Sequence, residues 1–364
     1  MKLGMVQGGN KTRGVPGAFS AASPEIRERS DRIFRADSVF LSNLINYEPN
    51  FFEGESIMWK RRKFYSGAAI HTYQNTVDGA VIFYTLYDFL AYITRLRTNA
   101  RKYGITVLGV CPMFDHTHLL TLQRTLEQLS RFIGRTTSEF VKEYNADCGR
   151  KGLLFNARFG SSAKRTDKAK RTCIAYLANN APEKKLVARC EEYRWNLIAY
   201  AASDHPYSEK IVLRHASRKL RMDLKQVDAC LERDEPLHYK HLRRLFRGLS
   251  RKEREQLTDY ILSRYSPVDY DLLLSFYGSY RTMLEAINAN NGNEYDIKEE
   301  YNVESHKAYR EMLRKVAARG GEIKAVITLP FEQKLELTGI LLCETSASPE
   351  QVRKFLHLKK ASRS

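Results

Sequence analysis

The chain has 364 residues, long enough for two or three domains with cores of their own. Its 43% hydrophobic and 11% aromatic content excludes a disordered chain, and no apolar run approaches the ~18 residues of a membrane-spanning helix. Lys and Arg number 60 against 42 Asp and Glu, a net charge of +18; the excess points to a polyanionic partner, nucleic acid first, or else to a merely basic, soluble surface.

Residues 1–23 are rich in Gly, Ser and other small residues and read as a mobile start. MKLGMVQGGNKTRGVPG is basic but lacks the apolar core of a signal peptide. Ser23-Pro24-Glu25 opens a helix to about Tyr47, and Trp59–Lys63 is a basic run that either touches phosphates or is solvated. Ala69–Thr76 reads as a strand with Val77-Asp78-Gly79 as its turn. Leu86–Lys102 is helical, with Phe89, Leu90, Ile93, Leu96 and Ala100 on one face. Gly104–Leu122 makes two apolar strands joined around Pro112–Asp115. A second helix runs from Thr125 to about Asn145, Leu153–Phe159 reads as a fourth strand, and Asp167–Asn180 as a third helix.

The order is β-α-β-β-α-β-α. Its first six elements predict an α+β, ferredoxin-like split βαβ domain: a four-stranded antiparallel sheet with helices on one face. The expected organisation is an N-terminal extension (1–63), this domain (64–204), a helical basic region (205–320) and a tail (321–364). In the basic region, Ser250-Arg-Lys-Glu253 forms a capping box for a helix to about Tyr265, and Ser266-Pro267 starts another. In the tail, Phe331–Cys343 is helical, and Ser348-Pro-Glu-Gln351 caps a short helix through Leu358. Two helices across a turn resemble the first part of a helix-turn-helix module, so the tail either contacts DNA or packs. The six cysteines are scattered, with no Cys-x-x-Cys pair, and read as free thiols in a reducing compartment, hence a cytoplasmic protein.

The chemistry concentrates in His116-Thr-His118. Residues two apart on a strand share a face, so both imidazoles can reach one metal ion; the alternative is a pair of sheet histidines satisfied by hydrogen bonds. Tyr176 and Asn180, four apart on the third helix, also share a face. If that helix lies against the strand, one site holds two imidazoles, an amide oxygen and a phenol. A tyrosine there can act as a nucleophile, while a divalent cation on a phosphate oxygen offsets developing charge. The sum is phosphodiester cleavage through a covalent tyrosyl–DNA bond. Taken alone, Tyr176 reads as an aromatic on a buried helix face.

Four segments carry a resemblance. MFDHTHLL (Met113–Leu120) resembles Met-Pro-Asn-His-Val-His-Leu-Leu, FVKEYNADCGRKGLLFNARFGSS (Phe140–Ser162) a helix end leading through Gly to a Phe/Trp-x-x-Arg-Phe strand, YLANNAPEKKLV (Tyr176–Val187) a Tyr-Ile-x-x-Asn-Pro segment, and EYRWNLIAYA (Glu192–Ala201) an Asp-Tyr-x-Trp-Ser-Ser-Tyr close. In this order, over about Ala68 to Ala201, they are similar to the HUH single-tyrosine transposases of the REP-associated type. The resemblance implies that His116 and His118 are metal ligands, Asn180 the third ligand and Tyr176 the nucleophile. It also implies a Mg²⁺ or Mn²⁺ cofactor, since hard divalent ions accept mixed nitrogen and oxygen ligands. The implied partner is single-stranded DNA beside hairpins or palindromic repeats, with association to the nucleoid when bound and room for a homodimer. Thr117, Phe114, Asp115 and Ala181 depart from the pattern without removing a catalytic atom. Thr117 should face packing, and Asp115 could support a ligand histidine. A DNA-hairpin-binding protein that has lost catalysis is the alternative. An RNA-binding module is disfavoured by the absence of a Lys/Arg-Gly-Phe signature.

Overall fold

The computed structural model describes residues 64–289 and 305–359. The expected helix to Tyr47 and the basic run at Trp59 lie outside the described residues. Strand β1 (Ala69–Asn75) is followed by α1 (Leu86–Lys102), β2 (Thr106–Pro112), β3 (His116–Leu122), α2 (Leu126–Cys148) and β4 (Gly160–Lys164). The sheet order is β2-β3-β1-β4 and every neighbouring pair is antiparallel. This is the split βαβ topology: β1 and β2 run the same way with β3 between them.

Local chemistry sets the boundaries. The Asp88 carboxylate accepts from the Thr85 backbone N–H (2.7 Å) and hydroxyl (2.9 Å) and so starts α1. Thr125 caps α2 by accepting from the Gln128 N–H, and Gly149 ends it at φ +68°, a conformation that favours glycine. Helix α3 (Asp167–Glu183) starts on Thr166, whose side chain accepts from Ala169 N–H, and continues one turn past Asn180 through Pro182.

Two expected elements are corrected. The fourth strand is Gly160–Lys164 and not Leu153–Phe159. Leu154 and Phe155 are buried anchors, and their segment touches the end of β1 through one bridge, Thr76 to Phe155. Hydrophobicity there marks a loop tied to the core, whereas β4 is a sheet edge built from GSSAK and shows no apolar alternation. Likewise, no helix starts at Ser266-Pro267. Val268 forms a parallel bridge to Val107 at the β2 edge, and Asp269 then caps α7 (Tyr270–Ser275). That bridge covers an edge strand that would otherwise offer unpaired backbone groups.

The remaining helices are α4 (Arg218–Glu232), α5 (Tyr239–Phe246), α6 (Arg251–Arg264), α8 (Tyr280–Asn288), α9 (Lys307–Ala318), α10 (Phe331–Glu344) and α11 (Pro349–Phe355). The capping boxes read at Ser250–Glu253 and Ser348–Gln351 are both formed. One apolar cluster runs from Ala69 to Leu358, so the sheet and the C-terminal helices share a core. Residues Gln351–Phe355 of α11 are buried. Arg353 donates to the Asp78 carbonyl (2.6 Å) and Tyr84 to the Phe355 carbonyl (2.5 Å), so this helix packs on the segment leading into α1.

The firmest link is Lys324. Its buried ammonium donates to Asp88 (2.8 Å) and Asp147 (2.9 Å) and lies 3.8 Å from the Tyr144 ring centre and 4.4 Å from that of Tyr239. Burial opposes the charge, but the two carboxylates outweigh it and hold the lysine pKa above its ordinary value. Lys324→Met should lower the stability measured by urea unfolding by about 3–5 kcal/mol, because it leaves the buried Asp88 carboxylate without a cation and Asp147 with Arg243 alone. A loss under about 1 kcal/mol would show that water reaches them.

Candidate active site

The alternation of β3 decides which side chains enter the site. His116 and His118 project to the α3 side of the sheet, while Thr117 between them faces Tyr92 of α1. Across the strands His118 stands opposite both Tyr73 of β1 and Cys111 of β2, and His116 stands opposite Asn75. Helix α3 crosses close to β2, where a Cβ on Gly109 would sit 3.3 Å from Leu177.

This crossing brings Tyr176 to the histidines. Its ring lies edge-on to His118 at 5.4 Å and to His71 at 5.7 Å, centre to centre. The rings of His116 and His118 are 4.9 Å apart. Asn180 lies one turn further along α3. It is buried, and among the described residues its side-chain oxygen Oδ1 has no hydrogen-bond partner. Of the expected residues, the structure thus joins His116, His118 and Tyr176 in ring contact, with Asn180 as an unsatisfied amide nearby on the same helix.

Two further histidines were not foreseen. His71 of β1 places Nε2 3.1 Å from His118 Nδ1. The two-residue period of IHTYQNT could have signalled it, since His71 and Tyr73 share one face of β1, the face that His118 also occupies. His306 precedes α9 and arrives from the far end of the chain, so no local pattern could have signalled it. Its backbone N–H donates to the Lys184 carbonyl (3.0 Å) just beyond α3, and its Nε2 lies 3.7 Å from Asp115 Oδ1. The same carboxylate oxygen is 2.6 Å from His116 Nδ1, so Asp115 does support a histidine, as its position suggested.

These contacts constrain protonation. Burial, then the Lys164 charge, lowers the His71 pKa to about 3. Burial, then His116 and His71, holds His118 well below its ordinary value. Asp115 is also buried, but His306 and His116 outweigh that penalty and keep its carboxyl below the usual range. For His116 to present Nε2 as a ligand, its proton must sit on Nδ1 and point at the Asp115 carboxylate. For His118 to present Nε2 as a ligand, its proton must sit on Nδ1 and point at His71 Nε2.

The donor set suits a hard divalent ion. Among the described residues no trio of His, Cys, Asp or Glu side chains is arranged to hold a metal. A site here would add the Asn180 amide oxygen to the two imidazoles, and that oxygen has no hydrogen-bond partner among the described residues. The site is nearly shut: His118 is 1% exposed and Tyr176 9%, while the His116 side chain keeps 16%.

No protein-family model matches the chain, and no curated protein does. Among solved structures it is similar to one described as a REP-associated tyrosine transposase bound to a REP hairpin, over 38% of this chain and 80% of that one, at 19% identity and a TM-score of 0.32. No described helix is long and apolar enough to cross a membrane, and the six cysteines are free thiols.

The buried histidines make stability pH-dependent. His71 and His306 are held at about 3 and His357 at about 4, chiefly by burial, so all stay neutral where the unfolded chain takes up protons. Their contribution is complete above the ordinary histidine pKa of about 6.5 and is lost as pH falls from there toward the folded values, at up to about 1.4 kcal/mol per pH unit for each. Urea unfolding should show a lower midpoint near pH 5 than near pH 7.5. Equal midpoints would mean that these rings are protonated within the fold.

Proposed function

We propose that the protein cleaves and rejoins single-stranded DNA through a covalent 5′-phosphotyrosine, with Tyr176 as the nucleophile. The observation that carries this reading is the placement of the Tyr176 ring against His118, beside a second strand histidine and one turn from the unsatisfied Asn180 oxygen. In the first step the Tyr176 oxygen forms a bond to phosphorus, the bond to the 3′ oxygen breaks, and a 3′-hydroxyl leaves with the proton. In the second, a 3′-hydroxyl attacks the phosphotyrosine, a new diester forms and the phenol recovers its proton. The phosphotyrosine preserves the diester energy between the steps, so no outside energy is needed.

His116, His118 and Asn180 would hold Mg²⁺ or Mn²⁺, which when bound makes the phosphorus more electrophilic and offsets charge on its oxygens. The chain's own part is positional. Asp115 orients His116, His71 orients His118, and α3 presents the phenol beside them. Burial keeps His71 and His118 neutral, which is the form that ligates. The substrate on this reading is single-stranded DNA next to a hairpin. The low exposure of Tyr176 and His118 favours a second reading, a DNA-hairpin-binding protein that no longer cleaves.

Tyr176→Phe separates the two, since it removes only the hydroxyl. With a labelled single-stranded substrate flanking a hairpin, wild type in Mg²⁺ or Mn²⁺ should give a denaturant-resistant protein–DNA adduct. The variant should bind DNA equally well and form none. An adduct that persists in the variant would assign the chemistry to another residue, and tight binding by wild type with no adduct in either ion would leave the binding reading.

A further inference from the structure

An open groove of about 1700 Å³ runs between α2 and β4 with its preceding loop. Small residues are among those that line it, including Ser130, Gly134, Thr137, Ser138 and Ser161. Three cations line it, Lys142, Arg158 and Arg165, and no Asp or Glu does. Elsewhere on α2 the cations are neutralised: Arg131 pairs with Glu127 and Arg135 with Glu139. Lys142 and Arg165, by contrast, form no ion pair with any described residue. The Arg165 guanidinium instead stacks over the Tyr65 ring at 4.4 Å, which makes a flat, charged platform on the groove wall.

The groove reaches Tyr73, next to the candidate site. Tyr73 lines it and in the sheet stands directly between Gly160 and His118. The Tyr73 ring lies across Gly160 so closely that a Cβ there would be 2.0 Å from a ring carbon. The ring is also 6.1 Å from that of His71, which touches Tyr176. One aromatic side chain therefore separates the groove from the residues that would perform the reaction.

We infer that this groove binds a single-stranded segment of DNA and leads it over Tyr73 to the site. The inference rests on the proposed reaction for its direction, but its chemistry is independent. Lys142 and Arg165 on walls without acids suit phosphates, and a guanidinium–aromatic stack with Tyr73 and Phe159 suits bases in a sequence-tolerant way.

The test is fluorescence anisotropy of a labelled oligothymidylate of about 15 nucleotides, long enough to follow such a groove. It is run with the full-length chain at several salt concentrations. The variants are the pair Lys142→Gln/Arg165→Gln, a control pair of equal charge change outside the groove, Lys252→Gln/Arg281→Gln, and Tyr176→Phe. The groove pair should weaken binding about tenfold or more and lower the log–log salt slope by about 1.4, at about 0.7 for each lost phosphate contact. The control pair should shift binding much less, and Tyr176→Phe should not shift it. If both pairs weaken binding equally, or neither does, the groove is not the DNA site, even where wild type still forms its adduct. If the groove pair lowers the urea midpoint and leaves DNA binding intact, the groove holds a segment of the chain itself and the inference falls. If wild type binds the oligonucleotide through the groove and forms no adduct, the groove stands and the cleavage reading fails.

Discussion

Asp88 serves two structures at once. Its carboxylate starts α1 by taking the N–H groups of Tyr84 and Thr85, and it also receives the Lys324 ammonium and the Tyr239 hydroxyl. Lys324 reaches on to Asp147 near the end of α2, which Arg243 of α5 also engages. A buried charge is tolerated only when paired and hydrogen-bonded, so these partners have to arrive together. The consequence is that the start of one sheet helix, the end of the other and the C-terminal region share one polar knot inside one apolar cluster.

That coupling gives the C-terminal region a place in the site. His306 is held by the Lys184 carbonyl beyond α3 and by packing on Phe114 and Tyr309, and it approaches the carboxylate that orients His116. A segment outside the sheet domain therefore closes over the face where His116, His118 and Tyr176 meet. Its contacts are the hydrogen bond to Lys184, the approach to Asp115 and ring packing on Phe114 and Tyr309, and the helix that His306 opens buries Tyr309 and Met312 in the shared core.

Charge is unevenly distributed over the surface. The excess of +18 says little by itself, because many surface cations are already paired, as along α2 and α6. What distinguishes the groove beside β4 is the lack of acids on its walls, a property of local arrangement and not of composition. β4 is suited to this place: a short edge strand of small residues, with Gly160 leaving room for Tyr73 to lie flat toward the site.

By itself the sequence determined the elements whose signals are local. The apolar spacing of Leu86–Lys102, the capping residues at Thr125, Ser250 and Ser348, and the alternation around His116-Thr-His118 each describe a structure completed within a few residues. The four-residue interval from Tyr176 to Asn180 put both on one face of α3 for the same reason. Leu153–Phe159 misled because apolar residues in a row report burial, and burial was satisfied by a loop anchored on β1. Ser266-Pro267 misled because its turn chemistry was taken up by a bridge to the β2 edge. Only the tertiary structure decided which histidines meet. The His71 to His118 contact depends on strand pairing, and the approach of His306 to Asp115 depends on the folding-back of the C-terminal region. Such contacts join residues far apart in the chain, and their free energy resides in packing and in the pairing of buried polar atoms, which no short stretch of sequence encodes.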